Sequence, residues 1–185
     1  VAKDIDAFKN SANINGGYYI GRYELGDALA TSSERNDSTN DANPIVCKAG
    51  VYPYNYITQP QAANLCQNMY NSNNFTSDLN NSYVWDTAIV FIQKCSGDKD
   101  YSRQGSLQGT LTKCGEATNG TNKDVRCNIY DMAGNTREWT TETNSDTYTL
   151  CVSRGGSYDS SSYYTCYRHN NFTSGGTPVA CRPTI

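Results

Sequence analysis

Two stretches of the chain repeat their apolar residues every 3.6 positions, and they predict its two main helices. From Ser82 to Cys95, the residues Val84, Trp85, Ala88, Ile89 and Ile92 share one face. From Gln59 to Tyr70, Ala62, Leu65, Cys66 and Met69 form a narrower stripe. Thr58 and Gln61 have capping-box spacing there, and Pro60 sits in the first turn, where its missing N–H is harmless. A weaker pattern, Ile5, Phe8 and Ala12, predicts a helix over 4–12 that Gly16-Gly17 stops. Residues 18–25 read as a strand. Residues 30–43 are polar and aperiodic and read as a loop, with a second polar link at 71–81. Long loops with short strands follow over 96–126. Strand-and-turn segments follow at 127–141, 150–157 and 179–183. Helices first and short strands afterwards, with no internal repeat, predict an α+β domain rather than alternating βαβ units.

Composition narrows the function. A length of 185 residues suits one domain with a real core. Hydrophobic residues make up 37% and charged residues 18%, both low, and 21 Asn and 17 Ser fill the deficit with small neutral polar groups. The net charge of −3 gives no basic footprint for nucleic acid. No apolar run approaches the ~20 residues of a bilayer span, so membrane insertion is not expected. His169 is the single histidine, which excludes mechanisms that need two imidazoles from one chain. The eight cysteines include no CxxC or CxxxC, so zinc-ribbon and thioredoxin-type sites fail on spacing. An even number in a polar chain predicts disulfides and an oxidising compartment, with connectivity left open. Cys66 and Cys95 lie on apolar helical faces and are the best candidates for plain buried thiols.

Three segments together are distinctive. They are Asn128-Ile129-Tyr130-Asp131-Met132-Ala133-Gly134-Asn135-Thr136-Arg137-Glu138-Trp139-Thr140, then Arg154-Gly155-Gly156-Ser157-Tyr158, then Cys181-Arg182-Pro183. In this order and spacing the chain resembles the formylglycine-generating-enzyme (sulfatase-modifying factor) domain, a branch of the C-type-lectin-like fold. The resemblance runs from about Gly16 to Pro183. It implies one C-type-lectin-like domain over 1–185, with two main helices, antiparallel sheets and long loops. Gly134-Asn135 suits a tight turn, Trp139 is a core plug, Gly155-Gly156 lets backbones approach, and Arg154 and Arg182 can donate to neighbouring strands. Trp85, Ile89, Tyr130, Trp139 and Val152 are expected inside.

The enzymes of this family oxidise a substrate cysteine with copper held by two cysteines five residues apart. Cys166 falls in about the right region, but Ser161 and Asn171 occupy the positions five residues to either side. One thiolate does not make a two-coordinate copper site. Cys181 takes the place of the family's Phe and is not that partner by sequence. The chain is therefore not expected to be an enzyme, and a formylglycine-generating oxidase is the alternative reading.

The chain also resembles the variable proteins of diversity-generating retroelements, in which the segment between Arg-Gly-Gly and the last strand is rewritten at adenines. Such rewriting never yields Lys, Glu, Gln, Met or Trp, and none of these occurs in 158–178. The resemblance implies a scaffold at 1–153 and a variable region within 154–185. Its expected ligand-binding residues are Tyr158, Asp159, Ser160, Ser161, Ser162, Tyr163, Tyr164, Tyr167, His169, Asn170, Asn171 and Phe172. Their chemistry suits a paratope: Tyr offers broad amphipathic contact at low rotamer entropy, and Ser and Asn offer adaptable hydrogen bonds. The expected activity is non-enzymatic, receptor- or adhesion-type binding. The partner is a protein or glycan on a cell or particle surface. The chain is expected to be a monomer, located outside the cell or on a cell or virion surface. A Ser- and Tyr-rich surface loop without a dedicated ligand is the plainer alternative. No cofactor is expected. A structural calcium at Asn135 and Glu138 is the alternative that the family implies, and Arg137 between them brings a positive charge close.

Overall fold

The computed structural model describes residues 5–31, 44–70, 72, 74–118, 120, 123–145, 150–171 and 178–185. Most of the polar loop expected at 30–43, two residues of the 71–81 link, and Phe172 lie outside the described residues.

Helix α1 runs Ile5–Asn15, α2 Gln59–Met69 and α3 Ser82–Cys95. The α2 capping box is complete: Thr58 Oγ1 accepts from the Gln61 N–H at 3.3 Å, and Gln61 Oε1 accepts from the Thr58 N–H at 2.8 Å. Asn81 Oδ1 caps α3 by accepting from the Val84 N–H at 2.9 Å. The buried residues of α3 are the stripe the sequence sets out: Val84, Trp85, Ala88, Ile89 and Ile92. Helix α1 overruns its expected end by three residues and has no buried residue. Its Phe8 rests on Tyr18 at 5.2 Å and Tyr83 at 6.2 Å between ring centroids, so its apolar face is only half covered.

Eleven short strands are described: β1 Gly26–Asp27, β2 Ile45–Val46, β3 Tyr52–Pro53, β4 Asp78–Leu79, β5 Val125–Arg126, β6 Ile129–Tyr130, β7 Arg137–Thr143, β8 Cys151–Arg154, β9 Arg168–Asn171, β10 Val179–Cys181 and β11 Pro183–Thr184. The largest sheet has the order β10-β7-β8-β9. Its pairs are antiparallel except β10 with β7, which is parallel because the chain passes β8 and β9 before returning to the far side of β7. The strand expected at 18–25 is extended but irregular. It follows the C-terminus through one bridge, Ile20 to Thr184, and through bonds such as Gly21 N–H to Pro183 O at 2.8 Å.

Helix α2 covers one side of that sheet, enclosing Leu25, Tyr54, Ile57, Leu79, Trp139 and Val179. Trp139 is fully buried and donates its indole N–H to Ile57 O at 2.8 Å. Helix α3 builds a second core with Tyr101, Ile129 and Met132. Tyr130, expected inside, is half-buried and stacks on Tyr23 at 4.7 Å.

Arg182 joins the pieces. It is fully buried and donates to both Glu138 carboxylate oxygens at 2.6–3.1 Å. It also donates to the carbonyls of Gly21 and Arg22 at 2.9 Å and of Tyr130 at 2.6 Å. An ion pair buried this fully keeps its charges only because its donors and acceptors are so well matched.

Candidate functional site

Strand β8 ends at Arg154 and the chain turns at Gly155-Gly156. Gly155 has φ +90°, and a Cβ on Gly156 would stand 2.2 Å from Ala133 O. Only glycine lets the chain cross the 132–133 turn this closely. The chain then makes an outward excursion over 157–167 and returns as β9, antiparallel to β8 with Ser153 opposite His169 and Arg154 opposite Arg168.

What holds this excursion is mostly backbone. The Tyr158 N–H donates to Asn135 O at 2.8 Å, and Tyr158 O accepts from the Gly109 N–H at 3.0 Å. Tyr163 O accepts from the Ser106 N–H at 2.8 Å and from its hydroxyl at 3.2 Å. The Thr165 N–H reaches Gln104 O at 3.0 Å, and the Cys166 N–H reaches Ser102 O at 3.2 Å. Three side chains of the surrounding scaffold do the same. The Trp85 indole N–H donates to Thr165 O at 3.0 Å, Arg154 Nη2 to Cys166 O at 3.3 Å, and Ser106 Oγ accepts from the Ser157 N–H at 3.0 Å. Every one of these partners within 157–167 is a main-chain atom, which each non-proline residue supplies alike.

The side chains mostly turn away from that frame. Asp159, Ser161, Ser162, Tyr164, Tyr167 and Asn170 are exposed, and Tyr158, Ser160, Tyr163 and His169 are half-buried. Tyr164 keeps 52% of its surface in solvent and Tyr167 38%, large values for aromatic rings. Tyr163 lies 4.9 Å from Tyr167 and 5.1 Å, edge-on, from His169, with the Arg137 guanidinium over its ring at 5.1 Å. Partial burial and the Arg137 charge hold the His169 pKa below its ordinary value, so the ring is neutral at pH 7. Burial, with Tyr56 and Asp159 nearby, pushes the Tyr158 hydroxyl up to about 12.

Two of the expected residues stand apart. Phe172 lies outside the described residues. Asn171 is buried, 5% exposed, and donates its amide to Ser153 Oγ at 2.5 Å. It belongs to the β8–β9 contact and not to the surface, because the last residue of β9 points into the sheet. Sequence reasoning missed two exposed neighbours, Cys166 and Arg168. Arg168 pairs with Glu142, which also receives Arg154 at 3.6 Å, while Arg154 pairs with Asp86 on α3. It also missed the supporting run 102–109, which works through backbone atoms and so leaves no residue signal.

Asn135 and Glu138 do not fit a calcium site. Both Glu138 oxygens accept from the Arg182 guanidinium. Asn135 Oδ1 accepts from the Thr112 N–H at 3.1 Å, and its amide donates to Glu24 at 2.6 Å. The oxygens a cation needs are already engaged by protein donors, one of them positively charged.

Comparison with known proteins agrees with this architecture. The model of the "Sulfatase-modifying factor enzyme 1-like domain" matches residues 47–180. Among solved structures, Treponema denticola variable protein 1 superimposes with a TM-score of 0.52 at 17% identity, over 91% of this chain and 84% of that one. A structure titled "Crystal Structure of CarF" gives a TM-score of 0.45 at 16% identity, over 97% of this chain and 80% of the other. No curated protein sequence matches the chain.

Proposed function

The chain belongs to the sulfatase-modifying factor enzyme 1-like family, with its C-type-lectin-like α+β fold, and on that premise we propose that it is a non-enzymatic binding protein whose specificity resides in the surface from Tyr158 to Asn170. The observation that carries this reading is the division of labour in the excursion. Scaffold groups hold its main-chain atoms, and most of its aromatic and small polar side chains, Ser157 and Thr165 apart, reach solvent wholly or in part. A surface held in that way is preorganised, so a partner does not have to order it, and side chains can change without loss of the fold.

The similarity to a protein named as variable supports a further step: the segment is rewritten by a diversity-generating retroelement. The partner is a protein or glycan on a cell or particle surface, met outside the cell or on a virion. Tyr-rich, weakly charged surfaces suit such contacts. The oxidase alternative gains nothing from the geometry. Cys166 is exposed, and the half-buried and buried thiols Cys47, Cys114 and Cys151 direct their hydrogens at Tyr23, Glu24 and Gln59.

Genomic sequence tests the proposal. The expected finding is a near-copy of the codons for 154–185 beside a reverse-transcriptase gene, differing only at adenines and mainly at codons of the exposed residues. A source genome without such a copy would remove the retroelement from the account. Binding itself is tested by exchanging Tyr164 and Tyr167 for Ser, which should abolish capture of a cognate cell or particle while the fold survives.

A further inference from the structure

Among the described residues three arginines are buried, and two of them have carboxylate partners. Arg182 pairs with Glu138, and Arg154 pairs with Asp86 and Glu142. Arg137, the first residue of β7, is 5% exposed and has no hydrogen-bond or carboxylate partner among the described residues, with its Nε enclosed and lacking an acceptor. The acids nearest to it along β7 and on the excursion have other partners. Both Glu138 oxygens accept from Arg182, Glu142 receives Arg154 and Arg168, and Asp159 accepts from the Ser157 hydroxyl. The contact that Arg137 does make is with the Tyr163 ring, whose centroid lies 5.1 Å from the guanidinium carbon. Tyr163 packs in turn with Tyr167 and His169. An aromatic face attracts the charge but is at best a weak acceptor for the N–H groups. Buried charges are as a rule paired, so the missing acceptor points outside the chain.

We propose that Arg137 is an anion-binding anchor at the floor of the surface around Tyr163, and that it takes the Glu or Asp side chain of a protein partner. The planar guanidinium fork matches a carboxylate through parallel N–H···O bonds, which would supply the acceptors that Arg137 lacks. With so little of the residue exposed, the carboxylate has to arrive on a narrow, flexible arm. An acidic side chain is such an arm. The carboxylate of an acidic sugar is attached directly to a ring, and the ring would have to enter with it. Arg137 belongs to β7 and not to the excursion, so it would stay constant while the exposed side chains around it change. Variants would then share a demand for one acidic group and differ in what surrounds it. The inference deepens the binding reading and rests on it for the location of the surface. Burial and the Arg137 charge hold the His169 pKa below its ordinary value, so a carboxylate that neutralises Arg137 should raise it.

The experiment is an NMR titration of the whole chain that follows the Arg137 Nε–H signal and the His169 ring. The probe is N-acetylglutamate N-methylamide, with its glutamine counterpart as the uncharged control and the methyl glycoside of N-acetylneuraminic acid as the ring-borne carboxylate. The glutamate probe should move the Arg137 signal saturably and raise the His169 pKa. The glutamine control should do neither, and the sugar should bind more weakly. Arg137→Gln should weaken binding of the glutamate probe roughly tenfold or more, and Arg137→Lys, which keeps the charge and loses the fork, should fall between. An unmoved Arg137 signal, an equal response to the glutamine control, or undiminished binding to Arg137→Gln would overturn the inference. Tighter binding of the sugar would overturn the assignment to a protein side chain. If Arg137→Gln does not fold, the Nε–H response of the unaltered chain decides. The two readings fail separately. A failed titration beside loss of capture on exchange of Tyr164 and Tyr167 would overturn the anchor and leave the binding surface. A successful titration beside intact capture would do the reverse.

Discussion

At the scale of single residues, burial and partners decide what each side chain does. Trp139 fills the core under α2 and has its N–H satisfied. Trp139→Ala should lower stability by about 3–5 kcal/mol, measured by guanidinium unfolding, and a neutral result would mean that the central motif is placed wrongly. Glu24 is the clearest titrating group. Burial, with Asp131 and Glu138 close by, pushes its pKa from 4.5 up to about 8 against the opposing hydrogen bonds from Thr136. The folded chain therefore keeps this proton between pH 4.5 and 8 while the unfolded chain has lost it. Its contribution is full below pH 4.5 and is lost as pH rises through about 8. Glu24→Gln should flatten that alkaline decline in a stability profile, and an unchanged slope would assign it elsewhere. His169 acts in the opposite sense. Its folded pKa is lowered, so the unfolded state takes up the proton first, and stability falls as pH drops below 6.5. His169→Gln should remove that acid-side fall.

At the scale of elements, α2 could be read from the chain because its cap residues Thr58 and Gln61 agree with its period, and α3 could be read from its period alone. The apolar stripes mark the buried faces, and the structure adds Asn81 as the α3 cap. Strand β9 could not be read. Arg-His-Asn-Asn has no apolar alternation and no β-branched residue, and it is a strand only because β8 pairs with it. The reverse happened at 18–25, where a strand-like sequence meets the C-terminus through one bridge. The excursion's composition was legible between its two framing motifs, but its support was not. Trp85 tests that support. Trp85→Phe keeps most of the ring and removes the donor to Thr165 O. One buried acceptor left without a partner should cost about 1–3 kcal/mol, and amide exchange over 163–167 should speed up. Unaltered exchange there would show that the indole does not hold the excursion.

At the scale of the whole molecule, two cores meet at the four-stranded sheet, and the proposed binding surface lies where the sheet's edge strand and its preceding excursion reach solvent. Arg182 and Glu138 lock the last strands to the central motif, and Gly155-Gly156 sets where the excursion departs. The fold could therefore be read from motifs that mark its fixed points. Which surface residues face out depended on the register of β9, and that register removed Asn171 from the surface. The central claim is that the frame holds the excursion whatever side chains it carries at its exposed positions. The most direct measurement is a library randomised at 159, 161, 162, 164, 167 and 170, scored for folding by protease resistance, beside one randomised at Thr165 and Asn171, which are buried. The account expects most members of the first library to resist as the original chain does and most of the second to be cut. A first library in which most members are cut would contradict it.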